Sequence, residues 1–135
     1  MEDVLEIDAE RVDQIVCRGC GAALDTRSVR PLQKFACPKC GTENHAPLRM
    51  GNFLLLELLG KGGMGAVYRG LDETLGRYVA IKVMRRSLAA DRQFVENFLR
   101  EARAAAALSH PNVVQVYSCG EWRGQPYIVM ELVDG

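Results

Sequence analysis

Five of the eleven residues in GKGGMGAVYRG, Gly60 to Gly70, are glycine, and the residues next to them exclude most folds in which such a run occurs. A phosphate-binding loop of the Gly-Lys-Ser/Thr type needs a hydroxyl residue after its lysine, whereas Lys61 is followed by Gly62. A dinucleotide-binding turn has the Gly-x-Gly-x-x-Gly spacing that Gly60, Gly62 and Gly65 satisfy. It also needs a strand before the glycines and a helix opening directly after them. Phe53–Leu59 can be that strand, but Ala66-Val67-Tyr68-Arg69-Gly70 is a poor helix start, because Val67 and Tyr68 favour strand and Gly70 interrupts. It reads as a second strand, Asp72-Glu73-Thr74-Leu75-Gly76 as a turn, and Arg77–Met84 as a third strand. Strand, glycine turn, strand, turn, strand is antiparallel, which is the wrong topology for a dinucleotide fold.

The third strand carries Val79-Ala80-Ile81-Lys82, with Lys82 seventeen positions after Gly65. That distance accommodates one strand, a tight turn and a second strand. Arg92–Leu108 is alanine-rich and strongly helical. Phe94, Phe98, Glu101, Ala105 and Leu108 recur at steps of three and four and predict one inward face. A glutamate on such a face is expensive to bury alone, and Lys82 is its natural partner. His110-Pro111 stops the helix. Val114–Cys119 and Tyr127–Val133 read as two further strands joined by Glu121-Trp122-Arg123-Gly124-Gln125.

In combination, GKGGMGAVY, VAIK, FLREA, HPNVV and PYIVMELVDG resemble the N-terminal lobe of a protein kinase, similar to bacterial serine/threonine kinases of the eukaryotic-like (Hanks) type. The resemblance covers residues 51–135. It implies an α+β fold with a five-stranded antiparallel sheet and one main helix. It also implies that Gly60, Lys61, Gly62, Gly63 and Gly65 cover the triphosphate of ATP, that Val67 and Ala80 sandwich the adenine, and that Lys82 contacts the α- and β-phosphates. Glu101 would hold Lys82 by an ion pair, Met130 would be the gatekeeper, and Glu131 and Val133 would be hinge residues. Lys82 and Glu101 are thus the catalytic pair that the resemblance assigns.

The family's H-R-D-x-x-x-x-N, D-F-G and A-P-E motifs do not occur after Lys82. The general base, the Mg²⁺ ligands and the peptide-docking surface go with them. The expectation is therefore a part of a longer kinase, in which Mg²⁺ and a protein substrate would bind, and a 135-residue chain that is inactive alone. The alternative is a zinc-binding interaction module fused to a catalytically dead lobe.

The zinc in that alternative comes from the front of the chain. Cys17-Arg18-Gly19-Cys20 is followed, after sixteen residues, by Cys37-Pro38-Lys39-Cys40. Two CxxC turns at this spacing each aim two thiolates at one point and complete a tetrahedron of sulfur around Zn²⁺. Gly21 and Gly41 each follow a second cysteine, where the chain must turn tightly. The pattern resembles a zinc ribbon, with strands near Gln14–Val16 and Lys34–Ala36, and four thiolates leave no open position for catalysis. A redox CxxC is the competing reading, disfavoured because there are two pairs and no βαβ pattern.

These readings divide the chain into an acidic segment (1–13), a zinc-ribbon-like module (14–44), a linker (45–51) in which His45 is an ordinary residue, and the kinase lobe (52–135). The formal net charge of zero argues against a whole-chain nucleic-acid binder, although residues 15–40 are locally basic. No signal-like start and no apolar run of roughly 18 residues occur, so the chain reads as cytoplasmic with no membrane segment.

Overall fold

The computed structural model describes residues 7–107 and 114–132. The strands are β1 (Glu10–Arg11), β2 (Gln14–Val16), β3 (Ala23–Asp25), β4 (Lys34–Ala36), β5 (Glu43–His45), β6 (Leu48–Met50), β7 (Phe53–Lys61), β8 (Gly65–Asp72) and β9 (Arg77–Met84). Helices α1 (Arg86–Ala89) and α2 (Arg92–Ala107) follow, then β10 (Val116–Trp122) and β11 (Gln125–Met130). Two hairpins, β2–β3 and β4–β5, stand apart from one antiparallel sheet of order β1-β6-β7-β8-β9-β11-β10.

The five expected strands of the lobe are therefore present as β7 to β11, and β2 and β4 fall on the expected residues. The sheet carries two further strands. One, β6, comes from the stretch that reads as a linker, between Pro47 and Gly51. Leu48 and Met50 are buried on either side of Arg49, a period-two alternation too short to stand out between two turn residues. The other, β1, comes from the acidic segment and pairs Glu10 with Arg49 and Arg11 with Leu48. His45 is likewise no linker residue: it closes β5 opposite Lys34.

Alternation along β9 separates two cores. Val79, Ile81 and Val83 point to one face, where Leu55, Tyr68 and Val129 join them and Ile7, Leu32, Leu48 and Met50 cover them. Met84 points to the other face, where Phe98 and Ala102 of α2 pack with Val116 and Ile128. Asp91 caps α2 by accepting the Gln93 and Phe94 N–H groups on Oδ1 at 3.0 and 3.4 Å. Trp122 and Gln125 face each other across a two-residue turn, with Arg123 at φ 48° and Gly124 at φ 87°. Two positive φ values in such a turn match the right-handed strand twist.

Candidate functional site

The glycine turn joins β7 to β8 and is closed by a Gly62 N–H to Gly65 carbonyl bond of 2.8 Å. Its glycines have two different jobs. A Cβ on Gly65 would lie 2.0 Å from the Val83 carbonyl oxygen, so the β8–β9 pairing itself requires glycine there. A Cβ on Gly60, Gly62 or Gly63 would meet nothing within 4 Å, and none of the three has a positive φ. The fold does not need these three to be glycine, and the room above them is open to a partner that approaches the backbone closely.

Register then assembles the rest of the site on one face. Val67 pairs with Lys82, which pairs with Ile128; Ala80 pairs with Arg69 and with Met130. Val67, Ala80, Lys82 and Met130 thus share the face on which α2 packs. Leu59, just before the turn, is 48% exposed. Glu131 donates its N–H to the Gln115 carbonyl at 2.8 Å and accepts the Gln115 N–H on Oε1 at 3.2 Å, which tethers the end of β11 beside β10. Val133 lies outside the described residues. A cavity of about 240 Å³ opens behind the turn between Ile7, Lys61, Tyr68 and Arg85. It belongs to the opposite face, because Tyr68 points away from Lys82.

The expected Lys82–Glu101 ion pair is not formed. Among the described residues no ion pair involves Lys82, whose Nζ lies 5.8 Å from the centroid of the Phe98 ring, while Glu101 is exposed. The reason is the roll of α2. Its buried stripe is Phe98 and Ala102, flanked by Val95, Leu99 and Ala105. Adjacent helical residues are about 100° apart, so centring the stripe on Ala102 turns Glu101 to its edge. Phe94, also expected inward, is 41% exposed. Phe98 and Ala105 hold their expected side, and Leu108 lies outside the described residues.

The cysteines converge as expected. The four sulfurs of Cys17, Cys20, Cys37 and Cys40 lie within 4.8 Å of one another, with Cys17–Cys40 at 3.6 Å and Cys20–Cys37 at 3.7 Å. A Zn–S bond of about 2.3 Å puts the sulfurs of a tetrahedron about 3.8 Å apart, so the cluster fits that ion. The two knuckles repeat each other. Gly21 and Gly41 have φ 77° and 78°. Gly21 donates to the Cys17 carbonyl and Gly41 to the Cys37 carbonyl, each at 2.9 Å. The Gly19 and Lys39 N–H groups point at Cys17 and Cys37 Sγ, each at 3.3 Å.

The thiols divide electrically. Hydrogen bonds from the Cys20 backbone and from the Asn44 amide bring Cys17 down to about 6. At Cys20 the Ala22 amide favours the thiolate, but burial and hydrogen bonding with Cys40, Cys37 and Cys17 win and push the thiol up to about 11. Four sulfurs this close can all be thiolates only with a cation among them.

The family model described as "Protein kinase domain" matches residues 53–135. The chain belongs to the protein kinase domain family. Over 88 residues it is 48% identical to a probable serine/threonine-protein kinase, pknA2, of Bifidobacterium longum, and over 85 residues 46% identical to serine/threonine-protein kinase PrkC of Bacillus subtilis. Each match covers 63% of this chain but only 12% and 13% of the relative's length. The crystal structure of the Mycobacterium tuberculosis PknI kinase domain superposes with a TM-score of 0.55 at 36% identity, over 64% of this chain and 35% of that one. This chain thus covers the N-terminal, mostly antiparallel part of a kinase domain with its single main helix.

Sequence reasoning missed several residues that brace this kinase lobe and the sulfur cluster. Asn44, buried, donates Nδ2 to Cys17 Sγ at 3.4 Å and accepts the Arg18 N–H at 3.1 Å. It stands where Leu24 stands in the first knuckle, four residues after the second cysteine, and a polar residue at a buried strand position was the signal available. Asp8 and Gln125, which join the N-terminal segment to the β10–β11 hairpin, gave no local signal, because they are 117 positions apart.

Proposed function

We propose that this chain supplies the nucleotide-covering half of a serine/threonine protein kinase site and holds a structural Zn²⁺ through Cys17, Cys20, Cys37 and Cys40. One observation carries the kinase part. Val67, Ala80, Lys82 and Met130 share a face beside a turn whose Gly60, Gly62 and Gly63 leave open the space that side chains would fill. In this reading the turn's backbone and Lys61 lie over the triphosphate of ATP, Val67 and Ala80 hold the adenine from above, and Lys82 orients the α- and β-phosphates. Met130, Glu131 and Val133 form the adenine edge of the pocket. Mg²⁺, where the rest of the kinase domain completes the site, neutralises charge on the phosphates.

Glu101 orients Lys82 only after α2 turns about its own axis. The present state, with Lys82 over Phe98, is the unpaired one. The lobe spans residues 52–135 with the ribbon at 14–44 in front of it, and a cluster of thiolates without disulfides fits a reducing, cytoplasmic setting.

Positioning and metal electrostatics supply most of phosphoryl-transfer catalysis, and this sequence holds none of the Mg²⁺-binding motifs. The 135-residue chain is therefore expected to bind a fluorescent ATP analogue weakly and to transfer no phosphate. Lys82→Met should weaken the analogue at least several-fold at unchanged melting temperature. Equal binding by the two proteins contradicts the assignment of Lys82. Phosphate transfer by the chain alone contradicts the division of labour.

A further inference from the structure

The two hairpins that carry the cysteines reach the main sheet by two routes, which meet at the sulfur cluster and again where β1 pairs with β6. The first route runs backwards along the chain. Arg11 in β1 donates to the carbonyls of Thr26, Arg27 and Val29 at 3.2, 2.7 and 2.6 Å. Thr26, 1% exposed, donates its N–H to the Asp13 carbonyl at 2.8 Å. Beyond β1, Asp8 grips the β10–β11 hairpin. Its N–H donates to Gln125 Oε1 at 2.8 Å, and its carbonyl accepts Trp122 Nε1–H at 2.6 Å. Gln125, fully buried, in turn donates Nε2 to the Met84 carbonyl at 2.9 Å, at the end of the strand that bears Lys82.

The second route runs forwards. Leu32 donates its N–H to the Ala46 carbonyl at 2.6 Å. Leu32, Leu48 and Met50 are all buried in the core that contains Tyr68 and Ile81. Through β6, which pairs with β7, this arm abuts the strand that leads into the glycine turn.

Between the hairpins themselves the contact is small, whereas farther back β1 of the first arm pairs with β6 of the second. The cysteine hairpins have a minor apolar cluster of their own, Cys17, Leu24 and Cys37. They touch through Arg18, whose N–H donates to Asn44 Oδ1 at 3.1 Å and whose Nε donates to the Glu43 carbonyl at 2.8 Å, and through Gly19, which packs closely against the Thr42 side chain. A unit of this size does not hold itself together by burial alone, and structural zinc supplies folding energy outright. Here the segments joined to the hairpins, through Ile7, Leu32, Leu48 and Met50, cover the outer face of the kinase sheet, so the energy is not confined to the hairpins.

We infer that metal occupancy of the four-cysteine cluster sets the order of the kinase lobe's outer face, so that loss of the metal loosens β1, β6 and, through β6, the β7–β8 pair that carries the glycine turn. The inference rests on the zinc reading of the proposed function and adds that zinc is thermodynamically linked to the nucleotide-covering sheet. Linkage is reciprocal: whatever loosens the outer face must also weaken the hold on zinc. The matched kinase region begins at residue 53, so the linkage belongs to the residues in front of it.

Trp122 is the chain's single tryptophan, and its indole sits on the seam that the first arm makes. The test uses the intact chain loaded with zinc. Zinc is withdrawn stepwise with a chelator and quantified with a metal-sensitive dye, while Trp122 emission and amide hydrogen exchange are followed together. The expected result is a red shift of Trp122 emission and at least ten-fold faster exchange in β6 and β7, both in proportion to zinc lost and both reversed when zinc returns. Zinc that leaves with emission and exchange unchanged overturns the linkage and leaves the metal site standing. A chain that takes up no zinc at neutral pH overturns the metal reading and the linkage with it. Leu48→Ala, which touches no ligand, should speed zinc loss to a fixed chelator several-fold, and an unchanged rate counts against the linkage.

Discussion

Gly62 and Gly65 lie three positions apart in one motif, yet the structure gives them separate physical roles. At Gly65 a methyl group collides with backbone, the Val83 carbonyl, at 2.0 Å. Backbone cannot swing aside as a flexible side chain does, so Gly65→Ala should cost about 1–3 kcal/mol, the usual range for overpacking. At Gly62 a methyl group meets nothing, and Gly62→Ala should stay within about 0.5 kcal/mol of the parent while weakening an ATP analogue. Urea unfolding beside an analogue titration checks the pair, and equal stability losses in both variants would refute the division. His45 makes a second residue-scale case. Its Nε2 is the one side-chain nitrogen or oxygen among the described residues that is buried without a hydrogen-bond partner, and desolvation holds its pKa below the ordinary 6.5. Nearby Glu57 opposes that shift, while Arg69, Lys34 and Arg18 add to it. A histidine with a depressed folded pKa takes up protons more readily unfolded, so its contribution is present above the ordinary value and is lost as pH falls below it. Melting temperatures at pH 5, 6, 7 and 8 for the parent and His45→Leu should converge at high pH and separate on the acid side, where the variant is the more stable. Zinc content measured at each pH separates acid loss of metal from the histidine's own effect, and parallel curves would remove the histidine from the account.

Elements were legible to the extent that local pattern sets them. β8 alternates partly buried and buried along its whole length, and its strand-forming residues already marked the glycine turn as antiparallel. The knuckles were legible because CxxC-Gly fixes a local turn. What failed was orientation and the weakest strands. The helix's existence was plain from its alanines, but its roll was not. Phe94 and Glu101 fit a step-of-three-and-four face as well as Val95 and Ala102 do, and only the surface that α2 packs against decides between the two. That choice removed the Lys82–Glu101 pair from the site. β1 has two residues and exists only because Arg49 and Leu48 lie opposite them. α1 is a single turn without a side-chain cap. Pairing across so much sequence leaves no local mark.

At the scale of the molecule, the sequence suggested a zinc module tethered to a kinase lobe, whereas residues before, between and after the cysteine hairpins join the lobe's outer core, and the knuckles keep only a small cluster of their own. Ile7, Leu32, Leu48 and Met50 are each 8% exposed or less and pack on the same sheet face as Leu55, Tyr68 and Ile81. Burying a side chain of this kind contributes about 1.5–3 kcal/mol, so the four together supply roughly 6–12 kcal/mol, an upper estimate because unfolded chains already bury some of that surface. A domain's whole stability is about 5–15 kcal/mol. Removing residues 1–50 therefore withdraws an amount comparable with the total and leaves Leu55, Tyr68, Ile81 and Val129 facing water. The polypeptide 51–135, which contains the entire matched kinase region, should show no cooperative thermal transition and should bind a hydrophobic dye, while the 135-residue chain melts in one step. Circular dichroism melts with and without zinc distinguish this covalent requirement from the metal linkage: zinc can rescue only the chain that still carries the cysteines. A truncated lobe that melts cooperatively within a few degrees of the intact chain would show that its outer face is stable bare, and the front fifty residues would then be an appendage to the lobe.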